Sequence, residues 1–118
     1  MSTQKDTVGR WQLAAFAAGF SATRMAANLG LSEKELRRYF AQGLRISLGG
    51  WLKERRYTEA ARLIARGAPL KSVAEAVGIK HVSHLTRGFE SFYGVTPRAF
   101  RRDPKKFLLG AANGKTRR

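Results

Sequence analysis

Lys34, Arg38 and Arg45 share one side of a helix drawn from Ser32 onward, with Ala41 between them and Arg37 on the flank. Further along, Lys80, Ser83 and Arg87 form a second row of the same kind, with His84 and Thr86 on its flanks. Residues three and four apart lie on one helix face, so each row is a line of hydrogen-bond donors. An arginine offers a planar fork of N–H groups and a lysine a rotatable ammonium. The chemistry open to both rows is recognition of acceptors and of negative charge. Neither row has an acid at its centre.

The other reactive residue types do not assemble into a site. His81 and His84 have a spacing that metals can use, but only Glu90 lies near them in sequence and no third ligand accompanies them. The chain has no Cys, which removes disulfides, thiolate zinc sites and thiol nucleophiles. Gly43, Gly49 and Gly50 do not spell a phosphate loop, and no Ser, His and acid stand as a nucleophile and its base. The expectation is a protein without catalytic residues, cofactor or metal, and so not an enzyme.

The elements that must carry the two rows are helices. Leu13, Phe16 and Phe20, beside Trp11 and Ala15, predict an apolar face on a helix from about Arg10 to Ala18, ended by Gly19. Ser21 caps a short second helix with Met25, Ala26 and Leu29, which stops at Gly30. Ser32 and Glu35 spell S-x-x-E, a capping box, and open a third helix with Leu36 and Phe40 inward. After Gly43 and the Gly49-Gly50 pair a longer helix runs to Arg66, before Gly67 and Pro69. Leu70, Val73, Ala74 and Val77 mark the next, to Gly78, and Leu85 and Phe89 the one after, from about His81 to Phe92. Thr96-Pro97 starts a last short helix. Strand-type alternation is absent. The divisions expected are a polar lead-in at 1–8, a first subdomain at 9–50, a linker helix at 51–67, a second subdomain at 68–103 and a basic tail at 104–118 that frays beyond Leu109.

The chain repeats itself. Ala26, Leu29, Gly30 and Leu31 match Ala74, Val77, Gly78 and Ile79 at an offset of 48 (78 − 30). Past the turn the offset is 49 (89 − 40): Leu36 matches Leu85, Arg38 matches Arg87, Phe40 matches Phe89, Ile46-Ser47 matches Val95-Thr96, and Trp51 matches Phe100. Each copy is a short helix, a glycine turn, a second helix and a cap, which is the plan of a helix-turn-helix. The second helix of that motif fits a DNA major groove, about 12 Å wide.

Charge agrees with that reading. In 118 residues, 23 Lys and Arg stand against 8 Asp and Glu, a net +15, as suits a protein that meets a polyanion. With 43% hydrophobic residues the chain builds a core, yet no apolar run approaches the roughly 18 residues of a membrane span. The polar start, with Asp6, is unlike a secretory signal.

The most specific residues lie in the second copy: Val73-Ala74, Gly78, Ser83-His84, Arg87, Phe89, the run Tyr93-Gly94-Val95-Thr96-Pro97, and Phe100-Arg101. The first copy adds Met25-Ala26, Gly30-Leu31-Ser32, Leu36, Arg38 and Phe40, and Arg56, Ala60, Leu63 and Ile64 fit the helix between. On these residues the segment 25–101 resembles the DNA-binding domain of AraC/XylS-type transcription regulators. The resemblance implies an all-α fold of about seven helices, two helix-turn-helix subdomains joined by a linker helix, each presenting a recognition helix to the same face of double-stranded DNA. It implies base reading by Lys34, Arg37 and Arg38 in the first recognition helix and by Val82, Ser83, His84 and Arg87 in the second; Lys80 joins them from the helix wheel. It implies a cytoplasmic protein of the bacterial nucleoid, a monomer on DNA, with RNA polymerase as a further partner. The chain departs from the family pattern in places: Ile79 and Leu85 replace the commoner Phe, and the linker is one residue short before Pro69. Val82 stands where a polar residue is usual, Arg45 where glycine is favoured, and Gly88 lies inside the second recognition helix.

Arg56 falls near the centre of the buried stripe Leu52, Ala60, Leu63 and Ile64. A buried guanidinium needs partners, so Arg56 is expected to be a structural clamp between subdomains, bound to carbonyls or an acid. Charge alone also fits a sequence-neutral nucleic-acid-binding protein. A base-modifying enzyme that uses this domain to find DNA is the third reading, opposed by the missing Cys, acid pair and metal cluster.

Overall fold

The computed structural model describes the backbone of residues 3–105 and the side chains of residues 9–105. The start of the lead-in and the tail from Lys106 onward lie outside the described residues, and with them the fraying expected beyond Leu109. The described residues form helices α1 (Thr3–Ala17), α2 (Ala22–Leu29), α3 (Glu33–Tyr39), α4 (Leu48–Ala65), α5 (Leu70–Ala76), α6 (Val82–Tyr93) and α7 (Pro97–Arg102). One π-helical turn, Phe40–Leu44, extends α3. No strand occurs among the described residues, and none of their helices is long and apolar enough to cross a membrane.

Two expectations about α1 are corrected. The helix begins at Thr3, ahead of Arg10. Once a helix is nucleated, each added residue costs little, and no proline stands between Thr3 and Arg10 to stop it. Its inward face is also different. Ala15 and Ala18 are buried and Trp11 half-buried, whereas Leu13 is 72% and Phe16 52% exposed. Trp11, Ala15 and Ala18 are spaced by four and three, so they share a face, and small residues there let α1 approach closely. Leu13 and Phe16 belong to the opposite face.

Contacts divide the chain into two compact units, Met1–Thr58 and Glu59–Arg118, with the division inside α4. In the first unit Phe40 is fully buried, stacked on Trp11 (ring centroids 4.3 Å apart) and tilted against Trp51 (4.8 Å). Met25, Leu36 and Leu48 complete that core. In the second unit Phe89 is fully buried beside Tyr93 (4.8 Å) and Phe100 (5.4 Å), with Val73, Val77 and Leu85 buried too.

The repeat holds in backbone geometry. Gly30 and Gly78 take left-handed conformations, φ 74° and 77°, which only glycine adopts freely. The Ser47 hydroxyl accepts from Gly50 N (3.0 Å) just as Thr96 Oγ1 accepts from Ala99 N (3.2 Å). The same left-handed turn closes both second helices, at Gly94 (φ 82°) and at Arg45 (φ 59°). An L-residue with a side chain pays roughly 1–2 kcal/mol there. Arg45→Gly should therefore raise the thermal midpoint, by roughly 4–8 °C for each kcal/mol relieved, and Gly94→Ala should lower it. Thermal unfolding followed by circular dichroism checks both; a drop for Arg45→Gly would mean that the arginine side chain outweighs the strain.

Candidate nucleic-acid interface

The first row of donors is placed by a closed helix start. Ser32 is extended (φ −78°, ψ 158°) and its Oγ accepts from Glu35 N at 3.0 Å, while Ser32 N donates to Glu35 Oε1 at 2.9 Å. Both ends of this capping box satisfy amides that the helix itself leaves unpaired. The bonds from the Ser32 amide and hydroxyl side hold the Glu35 carboxyl below the usual carboxylate range. From this start, burial of Leu36 and Phe40 turns Lys34 and Arg38 outward, and both are exposed. Arg37 is exposed as well, but Nη2 donates to Glu33 Oε2 at 2.6 Å, and Glu33 Oε1 accepts from Thr23 Oγ1 of α2 at 3.0 Å.

The second row stands on α6. His81 precedes it with extended backbone (φ −123°, ψ 138°) and makes no side-chain cap. Burial of Leu85 and Phe89 leaves Lys80, Val82, Ser83, His84 and Arg87 exposed, Val82 by 37%. The His81 and His84 rings meet edge to face with centroids 5.5 Å apart. Among the described residues no three His, Cys, Asp or Glu side chains are grouped to hold a metal.

Arg56 lies half-buried on α4. Its Nη2 donates to Phe20 O at 3.0 Å and to Gly19 O at 3.4 Å, and the guanidinium stands 6.0 Å from the Phe20 ring centroid. Burial pushes its pKa down. Phe20 needs such a hold, since it is buried with a left-handed backbone (φ 62°). Both carbonyls belong to the unit that contains Arg56 itself, so the bonds tie α4 to the α1–α2 corner, where a tie between subdomains was expected. In the second unit Arg101 of α7 donates to Ala68 O, the acceptor at the place equivalent to Phe20 (68 − 48 = 20).

Glu33 is a residue of this face that lies outside the expected set. Its signal was present: an acid four residues before an arginine on one helix is a standard ion-pair spacing.

Residues 25–103 match a family model described as a helix-turn-helix domain. The chain belongs to the AraC-type helix-turn-helix family. It is 35% identical over 71 residues to the HTH-type transcriptional regulator RipA of Corynebacterium glutamicum, covering 60% of this chain and 22% of RipA. It is 30% identical over 82 residues to the multiple antibiotic resistance protein MarA of Escherichia coli, covering 69% of this chain and 65% of MarA. The chain thus spans less than two thirds of either relative. The C-terminal domain of the response regulator yesN from Fusobacterium nucleatum superposes with a TM-score of 0.69 at 22% identity, over 82% of this chain and 96% of that domain, and so shares the fold. That fold is the all-helical AraC-type double helix-turn-helix, in which α2–α3 and α5–α6 are the two motifs.

The cap that opens α3 in this AraC-type fold has a pH signature. The bonds with Ser32 hold the Glu35 carboxyl below its ordinary value, so its contribution to stability is complete above that ordinary value and is lost as pH falls through the lowered one. Wild type should lose thermal midpoint more steeply than Glu35→Gln on going from about pH 5 to about pH 3. Equal slopes would show that the capping charge carries no such stability.

Proposed function

We propose that this chain binds double-stranded DNA sequence-specifically and regulates transcription, with α3 and α6 as its two reading helices. The observation that carries the proposal is the repeated motif itself: each copy exposes a row of donors on its second helix, in a chain of net charge +15. Affinity comes largely from Lys and Arg on phosphates with release of counterions, and specificity from contacts to base edges. Lys34 and Arg38, with Arg37 at their flank, read one half-element. Val82, Ser83, His84 and Arg87 read the other, with Lys80 at its edge. The valine has no donor, but it packs on a thymine methyl, and each outward arginine pairs with guanine O6 and N7. No catalytic group takes part. The chain acts as a monomer on an asymmetric site with half-elements about one helical turn, ~10 bp, apart. RNA polymerase is the partner through which a bound regulator acts, at the nucleoid of the cytoplasm.

Two measurements test this. Binding of a selected duplex should weaken with salt, log K falling against log salt with a slope of about −0.9 for each phosphate contacted. A slope near zero, or equal affinity for selected and random duplexes, would leave no sequence-specific binder. In the second, sites are selected from random DNA with each variant. Arg38→Ala should relax preference in one half-element and Arg87→Ala in the other, each by roughly 1–3 kcal/mol against a wrong base. Unchanged profiles for both would remove α3 and α6 as the readers.

A further inference from the structure

Glu33 lies in the first turn of α3 and its carboxylate is shared between two donors. Oε2 takes Arg37 Nη2 at 2.6 Å and Oε1 takes Thr23 Oγ1 at 3.0 Å. Thr23 belongs to α2, so the acid is fixed from the preceding helix and draws the guanidinium toward it. Both side chains of the ion pair are well exposed, 51% and 39%, so the pair adds little to stability. What it sets is the position of a charge. With Leu36 and Phe40 buried, Lys34 and Arg38 occupy the face opposite the core, while Glu33 and Arg37 lie together on one flank. The bond from Arg37, then that from Thr23, holds the Glu33 carboxyl below its ordinary range, so it stays ionised near neutrality.

The second copy is an internal comparison. The places of Glu33 and Arg37 are taken there by Val82 and Thr86 (33 + 49 and 37 + 49), which form no ion pair. On α6 Glu90 follows Arg87 by three residues, but among the described residues the ion pair on a reading helix is that of Glu33 with Arg37.

We propose that Glu33 is a positioning residue that sets specificity: it holds Arg37 on the α2 side of α3 and leaves Lys34 and Arg38 to read the first half-element. This rests on the DNA-binding reading above. Arg37 freed of the acid is a long, permanently charged side chain at the edge of the groove, able to reach any phosphate. Such a contact strengthens binding to every sequence equally and so dilutes selection. Glu33 therefore exchanges affinity for discrimination.

The test is a double-mutant cycle on the full chain with Glu33→Gln, Arg37→Ala and both together, each verified as folded by its helical circular dichroism. Binding to random duplex and the selected-site profile are measured for each. Glu33→Gln should bind random duplex more tightly and steepen the salt slope by about 0.9, one further phosphate. Its first half-element profile should broaden while the second stays as in wild type. In the Arg37→Ala background the same substitution should bring no gain. A gain that persists without Arg37 would mean that the acid acts by repelling phosphates directly, and the inference falls. An unchanged slope and profile for Glu33→Gln sinks it as well. A wild-type chain with no salt-dependent binding to any duplex is a different result: it removes the DNA-binding reading, and this inference with it.

Discussion

Phe40 sits fully buried just past the last residue of α3 and Phe89 fully buried within α6, each gripped by other rings. Everything outward on those helices depends on that burial. Helices of 8, 7 and 7 residues, as α2, α3 and α5 are, do not persist alone in water, where ~12–15 residues are marginal. They exist because one face is packed. Truncating a buried phenylalanine costs about 3–5 kcal/mol, a large share of the 5–15 kcal/mol typical of a whole domain. The same burial aims the donors. Arg38 lies two residues before Phe40 and Arg87 two before Phe89, nearly on the opposite side of the helix. Rotating the aromatic out of the core would carry the arginine inward.

The two copies meet the same backbone requirements with different side chains. A left-handed residue follows both second helices, glycine in one and a strained arginine in the other. A hydroxyl caps the following helix in both, from Ser47 and from Thr96. The reading helix opens on a full capping box at Ser32 but on an uncapped His81. What is preserved is the path of the chain. What diverged are the positions that solvent reaches, where a change is cheap and where a nucleic acid would be met.

Much of this was legible in the residues. Glycine turns, the S-x-x-E box, Thr-Pro at a helix start and two aligned aromatics are local signals, each tied to one backbone state, and the helices lie close to where those signals put them. The inward face of α1 was less legible, because Trp11, Leu13, Ala15, Phe16 and Ala18 are apolar nearly all round and size favoured the wrong pair. Packing chose the alanines because closeness mattered more than bulk. The start of α1 was missed since polar residues can either continue a helix or leave it. For Arg56 the need for partners was visible, but which carbonyls would answer depends on how the chain folds back, and no local pattern encodes that. For Glu33 the i, i+4 spacing to Arg37 was legible, but its second partner, Thr23, comes from α2 and no local pattern encodes that bond.

Arg56 and Arg101 both grip main-chain oxygens, at Phe20 and Ala68. A carbonyl is present whatever side chain its residue bears, so substitution at position 20 or 68 leaves the acceptor in place. The donors even arrive from non-equivalent positions in the two copies (56 + 49 is 105, not 101). A bond of this kind leaves no trace of paired change between two columns of related sequences. A search for co-varying positions would pass over the contacts that close each corner of the fold, and would find only two arginines that resist replacement singly.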